Sequence, residues 1–122
     1  MQIIGTADYI IDALIGYHLK GSPHGDFKTL IESMNAVPGK TIAYDIPSGL
    51  DSTTGKCLEP TVRAMATLTL ALPKRAFTVK AGQEVSGKIF LGDLGIPDFL
   101  YGKIKSGSRP HFEKGSQGLL KL

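Results

Sequence analysis

One cysteine, Cys57, in 122 residues excludes an internal disulfide framework and favours a reducing compartment. No apolar run approaches the roughly 20 residues needed to cross a bilayer. Met1-Gln2-Ile3-Ile4 also lacks the basic start and long apolar core of a secretory signal. A cytoplasmic location with no membrane partner is expected, or a mitochondrial one if the source is eukaryotic and the N-terminus incomplete. No GxGxxG or P-loop pattern occurs, so neither of the common glycine-rich phosphate cradles is present. A basic stripe is missing too. The isoelectric point is near 9.0, yet residues 1–97 carry nine Lys/Arg and nine Asp/Glu, while residues 98–122 carry five against two. The positive excess belongs to the tail, and the body lacks the electrostatic footprint of a nucleic-acid binder. No nucleic-acid partner is expected.

What is present fits a folded α/β chain. Apolar residues make up 42% and charged residues 20%, the balance of a globular chain that buries a core. Thr41-Ile42-Ala43-Tyr44 is short, apolar and β-rich, and reads as a buried strand. It runs directly into Asp45 and an abrupt Pro47-Ser48-Gly49 turn. Asp8 to Leu14 reads as an earlier strand stopped by Gly16, and it carries Asp12 in a stretch that should be buried. An ionised carboxylate there must be paired, protonated or bound to a cation, unless it caps a nearby loop.

Between the two strands, Asp26 to Ala36 is the clearest helix, with Asp26 as its N-cap. Phe27, Leu30, Ile31 and Met34 form one apolar stripe, and Pro38-Gly39 ends it. Strand, helix and strand make a βαβ unit. Parallel neighbours lie about 4.8 Å apart, so Asp12 and Asp45 approach the same C-terminal rim, where ligands sit in open α/β sheets. Two carboxylates converging there share a proton or hold a cation. Oxygen donors suit a hard ion such as potassium, magnesium or calcium.

Met65 to Leu72 is a third strand, ending at Pro73-Lys74, where Lys74 would bring a cation near the two aspartates or near a phosphate. Gly87 to Leu91 is a fourth strand. Residues 49–64 show no periodicity, and the hydroxyls and amides of Ser52 to Gly55 suit either an anionic ligand or a solvated turn. Cys57 has no neighbouring His and no CxxC spacing, so it is not read as a nucleophile. Asp93 reads as a turn residue at a strand end. Residues 98–122 read as a basic, flexible or loosely docked tail.

Four short stretches carry a resemblance: Asp12-Ala13-Leu14-Ile15-Gly16, Asp45-Ile46-Pro47-Ser48-Gly49-Leu50-Asp51, Leu72-Pro73-Lys74, and Asp93-Leu94-Gly95-Ile96-Pro97. In this order they resemble the motifs of the YjeF-type N-terminal domain, the NAD(P)H-hydrate epimerase family, over the C-terminal half of that domain. The resemblance implies a Rossmann-like three-layer αβα fold with a mostly parallel sheet, here shortened at the N-terminus and spanning residues 1–97. It implies interconversion of the R and S forms of hydrated NADH or NADPH, with K+ held by Asp12 and Ser48. Asp45 would meet the hydrated nicotinamide as the catalytic residue. The segment Gly16, Tyr17, His18, Leu19, Lys20, Gly21 and Ser22 would wrap the ligand. Tyr17 and His18 replace the Thr and second Gly common at these places, which puts the fit in question if that Gly is needed for positive φ. The family's earlier strands have no counterpart, so the Asp8 strand would be a bare edge that recruits a partner. The expected partner is a second copy or a chain supplying the other half. A non-catalytic dimerisation or interaction module of the same fold is the alternative.

Overall fold

The computed structural model describes residues 2–104 and 109–122. A short helix α1 (Gln2–Thr6) precedes β1 (Ile10–Asp12), α2 (Gly25–Asn35) and β2 (Thr41–Tyr44). After a long loop come β3 (Ala66–Leu70), a 3-10 turn (Arg75–Thr78), α3 (Lys80–Ser86) and β4 (Lys88–Gly92). The single turn of α4 (Asp98–Tyr101) and β5 (Leu119–Lys121) complete the chain. The five strands lie in chain order. The first four are parallel, and β5 joins β4 antiparallel. The fold is α/β with a mostly parallel sheet.

The βαβ reading holds: β1 and β2 pair parallel on either side of α2, with Asp12 opposite Ala43. Ile31 and Met34 are buried against Ala43, Val62 and Ala64, with Leu30 partly buried beside them. Phe27, the first residue of the expected stripe, is 48% exposed because it sits in the first helical turn, beyond the sheet contact. His24, not Asp26, holds the N-cap position; it makes no side-chain cap bond, and Asp26 lies in the first turn. A carboxylate there still complements the helix N-terminus.

A second cluster joins Ile46, Leu50, Ala76, Phe77 and Val85, with Ile89 packed against it. The Thr67 hydroxyl donates to Ser86 O at 2.8 Å. α2 and α3 therefore cover the face on which Ala43, Thr67 and Ile89 stand. By strand alternation, Ile11, Ile42, Tyr44, Leu68, Leu70 and Phe90 point to the opposite face. There Ile11 is 60% and Tyr44 50% exposed, the other four are half-buried, and none belongs to a core cluster.

Within the segment read as a loose tail, residues 119–121 form a strand. Register pairs Leu120 with Leu91 and Leu119 with Gly92, so this Leu-Leu-Lys triplet gains a ladder on the far edge. Tyr101 is also buried. Residues 105–108 of that segment lie outside the described residues.

Candidate functional site

Asp12 is the last residue of β1 and is fully buried. Ser48 lies in the turn that follows β2 and is buried as well. The Ser48 backbone N–H donates to Asp12 Oδ2 at 2.8 Å, and its hydroxyl donates to Oδ1 at 2.6 Å. The Leu14 N–H adds a third bond to Oδ1 at 3.3 Å. With its proton committed to Asp12, Ser48 Oγ accepts from the Ile15 N–H at 2.9 Å, while Ile15 O stands 3.4 Å away. Burial raises the Asp12 carboxyl above the ordinary aspartate range, and the two Ser48 bonds and the Leu14 bond only partly offset that. No cationic side chain pairs with Asp12 among the described residues.

The donor set here is one that a hard cation accepts. Its oxygens come from a carboxylate, a hydroxyl and a main-chain carbonyl, all hard donors. One uncompensated negative charge matches a monovalent ion better than a divalent one. The residues present fit such an ion.

Asp45 follows β2 directly and is differently placed. Its φ is 68°, and Ile46 N–H reaches back to Tyr44 O at 2.9 Å, closing a three-residue γ-turn around it. The left-handed backbone sends the carboxylate towards the end of β3. There Oδ1 accepts from Leu70 N–H at 3.0 Å and from the Thr69 hydroxyl at 3.3 Å. Lys74 Nζ lies 2.7 Å from the same oxygen, with both side chains about a fifth to a quarter exposed. Asp12 and Asp45 thus share the expected rim, but each has its own partners. No hydrogen bond links them along which a proton would be shared.

The segment from Gly16 to Ser22 is irregular and mostly exposed. All of it but Tyr17 lines, with Leu14, Ile15, Pro23, His24 and Phe27, an open cavity of about 350 Å³. The Tyr17 and His18 rings pack at 3.9 Å between centroids, tilted by 36°. The left-handed glycine here is Gly21, at φ 72°, while His18 is not among the positive-φ residues, so the histidine fits without backbone strain. In the loop after β2, Asp51 Oδ1 accepts from both Thr53 N–H and Thr54 N–H. Those amides are spent inside an Asx turn and do not face an anion. Cys57 is half-buried, and its thiol is held above its usual range first by burial and then by Glu59, in keeping with an inert side chain. Asp93 is a turn residue, accepting from Gly95 N–H at 2.9 Å and pairing with Arg109.

The family described as YjeF-related protein N-terminus matches residues 1–76. The chain belongs to that family. Among curated relatives, an NAD(P)H-hydrate epimerase of Dehalogenimonas lykanthroporepellens is 43% identical over 97 residues, covering 80% of this chain and 38% of that protein. A bifunctional NAD(P)H-hydrate repair enzyme Nnr of Moorella thermoacetica is 38% identical over 94 residues, covering 77% and 18%. An NAD(P)H-hydrate epimerase of Lentilactobacillus buchneri is 39% identical over 87 residues, covering 71% and 40%. This YjeF-type chain therefore spans well under half the length of these relatives. The crystal structure of yeast ynu0 has the same fold, with a TM-score of 0.75 over 98% of this chain and 48% of the yeast chain at 24% identity. No helix among the described residues is long and apolar enough to cross a membrane.

Strand register anticipated Asp12 and Asp45 at one rim with Lys74 nearby, and Ser48 was anticipated by the resemblance alone; how they divide was not anticipated. Thr69 and Leu70 as partners of Asp45 carried no sequence signal beyond their place at the end of a strand.

Proposed function

We propose that this chain carries the site half of an NAD(P)H-hydrate epimerase, acting on hydrated NADH or NADPH and interconverting their R and S forms. One observation supports it above the rest: Asp45 is bound by the protein through Oδ1 alone among the described residues, at the strand end where open α/β sheets bind ligands. Its other oxygen stands ready to take and return a proton at the hydrated nicotinamide ring, an exchange with no net change. The loop from Gly16 to Ser22, which lines a cavity of its own, is proposed to hold the rest of the ligand. K+ is the proposed cofactor, with Asp12 and Ser48 holding it. When bound, the ion supplies a positive charge that neutralises the buried carboxylate and is available to an anionic ligand. The exposed apolar sheet face and the edge of β1, unpaired among the described residues, support a companion polypeptide there, a second copy or a complementary chain.

The test is to supply racemised NADPH hydrate to the chain, alone and with any complementary chain, and to follow S/R interconversion with and without potassium. Interconversion that Asp45→Ala abolishes is expected. Interconversion untouched by Asp45→Ala would overturn the reading, and absence of any NADP(H) binding would favour a non-catalytic module.

A further inference from the structure

The ends of β2 and β3 repeat one device. Leu72 N–H bonds to Leu70 O at 2.7 Å around Ala71, whose φ is 62°, the counterpart of the turn around Asp45. Neither central residue is glycine, and non-glycine residues resist the left-handed region. Something must hold both turns, and Lys74 sits between them. Its ammonium lies 3.0 Å from Leu70 O, 3.3 Å from Leu72 O and 2.7 Å from Asp45 Oδ1. Three oxygens surround a group that has three hydrogens to give.

We infer that Lys74 is a positioning residue for Asp45. It clamps the two turns together and fixes the carboxylate by Oδ1, so that Oδ2 faces the ligand. The geometry argues against a lysine that meets a ligand phosphate, because its donors are already directed at protein oxygens. Two of those oxygens are main-chain carbonyls of the Ala71 turn, so binding a phosphate would strip that turn of its clasp. Arginine is no substitute, because its planar fork cannot reproduce three donors radiating from one nitrogen.

The inference rests on the epimerase reading for its kinetics but not for its geometry, and the experiment separates the two. Steady-state epimerisation of NADPH hydrate is measured for wild type, Lys74→Met, Asp45→Asn and the double variant. Lys74→Met is expected to lower kcat by tenfold or more with KM within about twofold, and to add nothing to the loss in Asp45→Asn. A tenfold rise in KM with kcat kept would make Lys74 a ligand contact and overturn the inference, as would unchanged kinetics. Where Lys74→Met does not fold, Lys74→Gln is expected to behave likewise. A crystal structure of the folded variant supplies a readout that needs no turnover. It is expected to show Asp45 Oδ1 moved off Leu70 N, and an unmoved carboxylate overturns the inference. A moved carboxylate in a chain whose wild type shows no turnover counts against the epimerase reading alone.

Discussion

Ser48 grips both oxygens of Asp12, one with its hydroxyl at 2.6 Å and the other with its own N–H at 2.8 Å, across 36 residues of sequence. This clasp ties the end of β1 to the turn after β2. It also orders the loop that follows β1, because Ile15 N–H ends on the same hydroxyl.

Ser48→Ala keeps the main-chain bond but removes a buried charge-assisted bond and the acceptor for Ile15. A hydrogen bond to a charged group contributes about 1.5–3 kcal/mol. A loss of about 2 kcal/mol is expected, read from the midpoint of a urea titration. Wild-type stability in the variant would show that the clasp contributes nothing.

The raised carboxyl of Asp12 sets a sign for pH dependence. A native carboxyl that binds its proton more tightly than the unfolded chain adds stability at low pH. That contribution is complete below the unfolded value and is lost as pH rises through the folded one. Stability of the ion-free chain should therefore fall with rising pH across that window, and Asp12→Asn should lack this component. Potassium should raise the melting temperature above the window in wild type and leave Asp12→Asn unmoved, with a bulky organic cation at equal ionic strength as the control. An identical pH slope in the two proteins would count against a raised Asp12.

Gly49 has φ 97°, and a Cβ there would lie 2.6 Å from Pro60 O and 2.7 Å from Thr61 Cα. Both obstacles are main chain and cannot swing aside. Gly49→Ala combines left-handed strain with overpacking and is expected to cost on the order of 3 kcal/mol. Calorimetry would show it as a large fall in melting temperature, and a shift of less than a degree or two would contradict the packing described.

Asn35, at the end of α2, donates through Nδ2 to Thr61 O and accepts from Arg63 N–H through Oδ1, both at 2.9 Å. The side-chain amide here copies a peptide group and pairs with residues 61–63, which belong to no strand. Asn35→Ala takes this partner from the carbonyl of Thr61, a residue 2% exposed, and from Arg63 N–H, with an expected loss of about 1–3 kcal/mol. Amide exchange at Arg63 should quicken with it.

Much of the architecture was legible because its signals are periodic. Leu30, Ile31 and Met34 mark a helix face, and four apolar segments end in turn residues, so a parallel sheet with a shared rim follows. The elements between β3 and β4 were not legible. α3 spans only seven residues, and it packs by bringing Gly82 against the Ala76 main chain, a contact that leaves no apolar stripe to read. At the site, the rim position of Asp12 and Asp45 follows from strand register. Their separation does not, because it depends on the sign of one φ angle and on a serine 36 residues away. β5 escaped notice because three residues beside glycines carry no pattern until β4 offers them an edge.

The left-handed backbone at Asp45 means that the proposed acid–base role and the conformation choose the same amino acid independently. Glycine would accept the dihedral but bring no acid, and glutamate would bring the acid but tolerate the dihedral poorly. Asparagine meets the conformational demand and loses the charge. Under the proposed function aspartate alone answers both demands, so substitution at this position is opposed from two directions.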